Sequence, residues 1–214
     1  MNINKKQVDM DSFDRKGYYN YFISYEQPRY SITVPVDVTP IFNYGKQYGN
    51  LNACLVYAVT KACNAVDNFK YRIIENKLYK YDFIHAGTIF INSNNQIKQG
   101  IIDIDQPLKD FISKYNALNE EYLKTGKLIQ EDYEQAFVEL SCIKWFKFTG
   151  LCEISRSKFD CIPEITWDKI EFKSKKATVN MAITINHALI DGYHIKLFLD
   201  ELYKEINKFT DLKK

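Results

Sequence analysis

The sequence lacks the features that mark several common functional classes. It contains neither Gly-x-Gly-x-x-Gly nor Gly-Lys-Ser/Thr, so dinucleotide-binding and P-loop functions lose their main sequence support. The longest apolar runs, such as Cys54–Val59, fall far short of the roughly 20 residues that a membrane span needs. No apolar stretch follows the lysines near the N-terminus, so we expect no secretory signal and a cytoplasmic protein.

The sequence also has no large excess of either charge and no metal-binding motif. The 29 Lys and Arg residues nearly balance the 27 Asp and Glu residues, which argues against a nucleic-acid partner. The chain has only 3 histidines, and no spacing of histidine or cysteine matches a zinc motif, so we expect no metal. We interpret the 5 cysteines as reduced and mostly buried.

Hydrophobic periodicity supplies the fold prediction. With 214 residues, 46% of them hydrophobic, the chain is long enough for one domain over residues 1–214. Alternating or short apolar segments predict strands, and apolar residues three or four apart predict helices. The strands are at Ile32–Val38, in a hairpin over 71–81, and at Gly87–Asn92, Phe137–Ile143, Ile165–Phe172 and Ala177–Asn186; the helices are at 50–68, at Gln106–Tyr122 and after Gly192. Together they predict a mixed β-sheet covered by helices, an α/β (α+β) two-layer sandwich.

The segment Asn186–His194 carries the best candidate for chemistry, because it lies where a core strand ends and a helix begins. Histidine suits general base work near neutrality, since its ordinary pKa is about 6.5. His187 is therefore a candidate base, although a histidine at a strand end could equally close a structural hydrogen bond. Asp191 could cap the following helix or pair with an arginine. We expect Gly192 to allow a turn where a Cβ would clash.

A hydrolase triad has little support. Ser141 lies in Glu-Leu-Ser-Cys-Ile, without the Gly-x-Ser-x-Gly elbow that would present it to His187 and Asp191. A couple of Cys142 and His187 is equally unsupported. We interpret His194 as a surface or first-turn residue.

The segment His187–His194 resembles the His-His-x-x-x-Asp-Gly-Phe-His signature of chloramphenicol acetyltransferases, which dihydrolipoamide acyltransferases and condensation domains share. Further segments resemble that family in chain order: Asp14–Phe22, Ser31–Thr39, Ser141–Phe148 and Pro163–Thr166. The resemblance implies a chloramphenicol acetyltransferase-like fold. It also implies an acetyl-CoA-dependent O-acetyltransferase, with chloramphenicol as the foremost acceptor.

The resemblance also implies a role for each matching residue. His187 would be the general base of a direct transfer without an acyl-enzyme, Ser141 would donate to the oxyanion, and Thr166 would assist through a bound water. Arg15 and Asp191 would form a salt bridge that fixes the catalytic turn. The acceptor pocket would hold Tyr21, Phe22, Tyr30 and Glu139. The family is a homotrimer with active sites at subunit interfaces, so His187 would face a neighbour's acceptor pocket.

Several positions depart from the family pattern. Asn186 replaces the first histidine of the pair, Lys144 replaces a proline, Phe22 replaces a tyrosine, and Glu139 stands where asparagine is usual. A carboxylate at position 139 disfavours a neutral, apolar acceptor unless it is paired. Two alternatives therefore stay open: an acetyltransferase of the same fold with a different hydroxyl acceptor, and a non-catalytic member that only binds ligand.

Overall fold

The computed structural model describes residues 3–127 and 133–212. The strands in these residues are β1 (Lys5–Gln7), β2 (Arg29–Asp37), β3 (Tyr71–Ile74), β4 (Lys77–Tyr81), β5 (His85–Ile91), β6 (Ile97–Ile102), β7 (Phe137–Ile143), β8 (Glu164–Asp168), β9 (Glu171–Lys173) and β10 (Lys176–Asn186). The helices are α1 (Lys16–Ile23), α2 (Thr39–Tyr48), α3 (Leu51–Ala65), α4 (Leu108–Thr125) and α5 (Gly192–Asp211), with a 3₁₀ turn at Asp67–Lys70.

The larger sheet has the strand order β2-β10-β8-β7-β5-β6, and β9 pairs with β10. Strands β8, β7 and β5 run parallel to one another, while β2, β10 and β6 join by antiparallel pairing. The parallel centre places the carboxyl ends of three strands at one edge of the sheet. The prediction of a mixed sheet is confirmed.

Strand β10 shows how alternation divides the sheet into an apolar and a polar face. Val179, Met181 and Ile183 are fully buried, and they lie opposite Val36, Val34 and Ile32 of β2. The intervening residues of β10 include Thr178, Asn180 and Thr184, so they give the other face hydrogen-bonding groups. Ser141 of β7 and Thr166 of β8 lie on this face, because Thr166 is the register partner of Ala182 and Ser141 is the register partner of Thr166.

Helices cover the apolar face and complete the two layers. The interior of α3 is buried along its length, and α3 contacts α2, α4 and α5. Helix α5 buries one apolar stripe, formed by Ile195, Phe198, Leu202, Ile206 and Phe209. Helix α3 begins at Leu51 because the Asn50 side chain accepts from the backbone N–H groups of Asn52 and Ala53. It ends at Ala65, before the predicted 68, because Val66 is extended.

A small sheet of order β1-β4-β3 adjoins the larger one. Its predicted hairpin is confirmed, and both turn residues, Glu75 and Asn76, have left-handed backbones with φ of 50° and 61°. Arg72 of β3 is fully buried and donates to the carbonyl oxygens of Gln135 and Phe137 at 2.9 and 2.6 Å. This guanidinium therefore joins the small sheet to the start of β7.

The prediction of one strand over Ile165–Phe172 is wrong. Strand β8 ends at Asp168, and β9 begins three residues later as a hairpin partner of β10. The fully buried Asp168 carboxylate accepts from the Asn180 backbone N–H at 2.8 Å and from Lys147 Nζ at 2.8 Å. Because this side chain takes up the N–H of Asn180, the ladder is interrupted there.

Three of the cysteines, Cys54, Cys63 and Cys161, are buried free thiols, as predicted. Burial raises the pKa of the Cys54 thiol to about 12, so this group stays protonated near neutrality. Cys142 is half-buried and Cys152 is exposed. Among the described residues, no helix has both the length and the apolar character needed to cross a membrane.

Candidate active site

His187 lies directly after β10, and its backbone N–H continues the sheet ladder by donating to the Pro28 carbonyl oxygen at 2.8 Å. The imidazole stacks on the Phe22 ring, with centroids 3.8 Å apart and an interplanar angle of 8°. The Tyr30 ring lies 4.7 Å away at a tilt. The end of β10, helix α1 and strand β2 together therefore fix the plane of the imidazole.

The two nitrogens of His187 differ in their surroundings. Nδ1 is buried and finds no hydrogen-bond partner among residues 3–127 and 133–212, while the residue as a whole is only half-buried. With Nδ1 enclosed, Nε2 is the nitrogen left to meet an incoming group. That is the arrangement a general base needs, because one nitrogen must reach the substrate hydroxyl.

Asp191 fixes the turn between His187 and α5. Its carboxylate accepts from the backbone N–H groups of Tyr193 and His194 at 3.0 and 3.4 Å, which caps the helix, and from Arg15 Nη1 at 2.9 Å. Burial opposes its ionisation, but Arg15 and the backbone N–H of His194 outweigh this and hold the Asp191 pKa below its ordinary value. One side chain thus both caps the helix and forms the ion pair.

His194 closes the capping box. Burial lowers its pKa despite the nearby Asp191, so the neutral ring is favoured. Its Nδ1 then accepts from the Asp191 backbone N–H at 3.2 Å. His194 is a first-turn residue, as the sequence indicated, and it holds the turn rather than a substrate.

The expected steric need for Gly192 is wrong for this chain. A Cβ built at Gly192 would meet no atom within 4 Å, and its φ lies outside the left-handed range. The space around it is open because Gly192 begins α5 at the protein surface.

Asn186 is buried at the end of β10 and holds a distant segment. Its Nδ2 donates to the carbonyl oxygens of Lys158 and Asp160, each at 3.0 Å, and its Oδ1 accepts from the Ala188 N–H at 3.0 Å. The residue that replaces the first histidine of the motif therefore anchors the loop before β8.

Ser141 and Thr166 are register partners on β7 and β8, and both face the polar side of the sheet. They line a cavity of about 160 Å³, here called the Ser141 cavity. Its other lining residues are Ile89, Glu139, Leu140, Glu153 and Glu164. No described residue forms a hydrogen bond with the Ser141 hydroxyl, so this group is free to donate to a ligand.

Three carboxylates in this cavity occupy distinct environments. Glu139 Oε1 lies 3.2 Å from Nη2 of the exposed Arg156, and Glu153 Oε1 accepts from the Thr166 hydroxyl at 2.7 Å. Glu164 pairs with Arg29 at 2.6 Å. Burial raises the pKa of Glu164 to about 7; Arg29 opposes this rise, and the charges of Glu139 and Glu153 add to it.

The His187 and Ser141 groups do not meet within one chain. Thr166 pairs with Ala182 of β10, and His187 lies five residues further along the same ladder. At about 3.4 Å per residue, His187 lies about 17 Å along β10 from the residue that pairs with Thr166. Phe22 and Tyr30 lie with His187, Glu139 lies with Ser141, and the Tyr21 side chain is 57% exposed.

A second cavity of about 530 Å³ opens beside the ends of β5, β7 and β8. We call it the Lys144 cavity; its polar lining consists of Asn50, Asn52, Tyr115, Asn119, Lys144 and Lys169. Cys142 lies in its wall, so it adjoins the strand position next to Ser141. Within the described parts of the chain, no three histidine, cysteine or acidic side chains are grouped closely enough to hold a metal ion.

Sequence reasoning missed Glu153, Glu164 and Asn186 as parts of the site. Glu164 could have been predicted from its spacing. It lies two residues before Thr166, just as Glu139 lies two residues before Ser141, and residues two apart on a strand face the same side. No periodic signal could have found Glu153, since it lies in the irregular segment before β8.

Comparison with known proteins decides the family. The sequence model described as chloramphenicol acetyltransferase matches residues 1–203. The chain belongs to the chloramphenicol acetyltransferase family. It is 27% identical to a chloramphenicol acetyltransferase of Staphylococcus aureus over 209 residues, covering 95% of this chain and 97% of the relative.

Two further chloramphenicol acetyltransferases, one compared by sequence and one by structure, support the same family. One from Clostridioides difficile is 27% identical over 205 residues, which is 94% of this chain and 95% of that protein. A solved chloramphenicol acetyltransferase structure superposes with a TM-score of 0.84 at 21% identity, covering 95% of this chain and all of the other. The shared fold confirms the predicted α/β sandwich, and the family's enzymes are acyltransferases.

Proposed function

We propose that the chain is an acetyl-CoA-dependent O-acetyltransferase that acts on chloramphenicol, the compound named in its relatives. Acetylation of the drug's hydroxyl group would inactivate the antibiotic and give resistance. The observation that carries the proposal is the placement of His187, whose ring is fixed by Phe22 and Tyr30 with Nδ1 enclosed. This geometry supports direct transfer with a histidine base.

In the proposed reaction, Nε2 of His187 takes the proton of the acceptor hydroxyl as that oxygen attacks the thioester carbonyl carbon. A C–O bond forms, and the carbonyl electrons move onto oxygen. When the tetrahedral intermediate collapses, the C–S bond breaks and the imidazolium returns the proton to the departing sulfur. The products are the acetyl ester and free CoA, and no acyl-enzyme forms.

The Ser141 hydroxyl donates a hydrogen bond to the oxyanion of the intermediate, and Thr166 supports the same charge through a water molecule. The free hydroxyl of Ser141 and its pairing with Thr166 support this assignment. Loss of one such donor typically costs on the order of 10²–10³ in rate. Arg15 and Asp191 act as positioning residues that keep the His187 turn in place.

We propose a homotrimer with active sites at the subunit interfaces, where His187 of one subunit meets Ser141 of the next. This arrangement is supported by the position of His187, which lies about 17 Å along β10 from Ala182, the residue that pairs with Thr166. Exposed rings near both groups would be covered by the neighbour. They are Tyr21, Tyr25, Trp145, Phe146 and Tyr193.

The Lys144 cavity is the proposed site for acetyl-CoA. Its asparagine side chains can bond the amide groups of the pantetheine arm, and Lys144 and Lys169 can pair with phosphates. Its wall includes Cys142, whose side chain lies on the face of β7 opposite Ser141, so the pantetheine arm would pass the end of β7 to reach the oxyanion donor. No metal enters the proposed reaction.

The proposal also covers the organisation and location of the protein. We treat residues 1–214 as a single acetyltransferase domain, supported by one continuous hydrophobic cluster that reaches from Phe13 to Phe209. The enzyme would act in the cytoplasm on small molecules, without a nucleic-acid or membrane partner.

A thiol-release assay tests this function. Purified protein with acetyl-CoA should release free CoA thiol only when chloramphenicol is added, together with the acetyl ester. His187→Ala should lower the rate by about 10²–10⁴, because the positioned base is lost. His85→Gln is the matched control, since His85 lies outside the site, and it should retain turnover. Thiol release that ignores the acceptor, or that survives His187→Ala, would contradict the proposal.

A further inference from the structure

The Ser141 cavity is lined by three carboxyl side chains, Glu139, Glu153 and Glu164, and a neutral acceptor would bring no counter-charge to them. We propose that the preferred acceptor is a hydroxyl compound that also carries a protonated amine, and that Glu153 and Glu139 bind the ammonium group while the hydroxyl faces the base. This inference rests on the proposed acetyl transfer and specifies the class of acceptor. The site itself is identified by Ser141 and Thr166 and not by the carboxylates.

The carboxylates reach this cavity by two routes. Glu139 lies two residues before Ser141 on β7, and Glu164 lies two residues before Thr166 on β8, so sheet alternation points all four to one side. Glu153 arrives from the segment before β8, where its Oε1 accepts from the Thr166 hydroxyl at 2.7 Å. Three carboxyl side chains thus share a space of about 160 Å³ with both proposed oxyanion groups.

The nearby cations do not neutralise this charge. The single guanidinium of Arg29 is shared between Glu164 at 2.6 Å and Asp160 at 2.7 Å, and all three side chains are largely buried. Arg156, the partner of Glu139, has a side chain that is 70% exposed, so solvent weakens that pair. Glu153 forms no ion pair with any residue in the described part of the chain.

An excess of negative charge in a partly enclosed cavity favours a cationic ligand. Desolvated carboxylates attract a positive charge more strongly than they would in bulk water, and they disfavour an apolar group that leaves them unpaired. The raised pKa of Glu164 points the same way, because Glu139 and Glu153 contribute to it after burial, against the opposing Arg29. An ammonium group would supply the missing counter-charge.

The donor geometry favours an organic cation over a metal ion. In residues 3–127 and 133–212, no three acidic, histidine or cysteine side chains converge closely enough to ligate one ion. A spread set of carboxylates suits an ammonium group, which can donate to several oxygens at different points. Glu153 already accepts a hydrogen bond from Thr166, so its second oxygen remains for this contact.

The test compares two acceptors that share one scaffold. Chloramphenicol carries a neutral amide beside its diol; the N,N-dimethyl derivative of its deacylated aminodiol carries a protonated tertiary amine instead and cannot form a stable N-acetyl product. With the full-length protein and acetyl-CoA at neutral pH, we expect kcat/KM for the amine to exceed that for chloramphenicol by about tenfold or more. An equal or higher value for chloramphenicol would overturn the inference and leave the acetyl transfer standing.

Substitutions of Glu153 and Glu139 test whether these carboxylates bind the amine. Glu153→Gln and Glu139→Gln should each lower kcat/KM for the amine by about tenfold, mainly through KM, and should lower kcat/KM for the amine more than for chloramphenicol. Glu171→Gln is the matched control, because Glu171 is exposed on β9 outside the site. If both glutamine variants treat the amine as the wild type does, the assignment of these carboxylates is wrong. If the wild type binds acetyl-CoA but transfers to neither acceptor, the proposed function fails together with the inference.

Discussion

The candidate site has two halves, one around His187 and one around Ser141, and the side chains that surround them differ in kind. Around His187 the neighbours are aromatic rings, and a capping box and an ion pair fix the turn. Around Ser141 the neighbours are carboxyl side chains, Glu139 and Glu164 on strands and Glu153 on the irregular segment before β8. Under the proposed function the first half supplies the base and the second supplies the oxyanion donor. Both depart from the family pattern, at Phe22 and Asn186 in the first and at Glu139 in the second, so a change in the carboxylates can alter the choice of acceptor without altering how the base is held.

The largest test of this comparison asks whether the two halves belong to different subunits. His187→Ala and Ser141→Ala should each nearly abolish turnover, because one removes the base and the other an oxyanion donor. When the two variants are co-expressed in equal amounts, about a quarter of interface sites would combine an intact His187 with an intact Ser141. Thiol release should then recover to about that fraction of wild type. If the mixture stays as inactive as its parts, each site is formed within one chain.

A smaller effect separates the two functions of Asp191. Asp191→Asn keeps a good helix cap but loses the charge that pairs with Arg15, so we expect kcat to fall by about tenfold with little change in Tm. Asp191→Ala also loses the cap and should cost about 1 kcal/mol more in unfolding free energy. The KM for acetyl-CoA should stay constant in both variants. A drop in Tm as large in the Asn variant as in the Ala variant would contradict the separation.

The smallest effect concerns stability on the acidic side. Folding raises the pKa of Glu164 from 4.5 to about 7, so the folded chain holds more protons than the unfolded chain in that window. This group's contribution to stability therefore falls as pH rises from about 4.5 to 7. The groups that face it are Arg29, Asp160, Glu139 and Glu153. Glu164→Gln should reduce the loss of unfolding free energy between pH 5 and pH 8 by about 1–2 kcal/mol. Denaturant titrations at both pH values would measure it, and parallel curves for wild type and variant would refute it.

Local pattern was enough for the elements with strong periodicity. Strand β7 occupies the predicted Phe137–Ile143, and β10 begins one residue before the prediction. Helices α1 and α2 escaped prediction because their apolar faces are weak: only Tyr19 is buried in α1, and only Ile41 and Gly45 in α2. Helix α2 packs chiefly against α3 and α5, and local sequence period does not show such contacts.

Spacing alone predicted the candidate site only where its residues are close in sequence, whereas the Arg15–Asp191 ion pair, which joins positions 176 residues apart, came from the family resemblance. The motif from His187 to Asp191 predicted its own turn, since cap and base lie within five residues. Glu153 and Arg29 could not be found this way, because chain folding brings them to β8 from segments 13 and 135 residues away from their partners. Contacts of that kind follow from tertiary structure and leave no periodic trace.

The anchor formed by Asn186 connects two features that otherwise seem independent. Its amide holds the backbone at Lys158 and Asp160, and Asp160 in turn binds Arg29 and the backbone N–H of Arg156. A designer who restored the family's histidine at this position would release the loop that also carries Glu153. The altered motif and the altered pocket are thus joined through the Asn186 amide, and the proposed choice of acceptor would depend on this buried side chain.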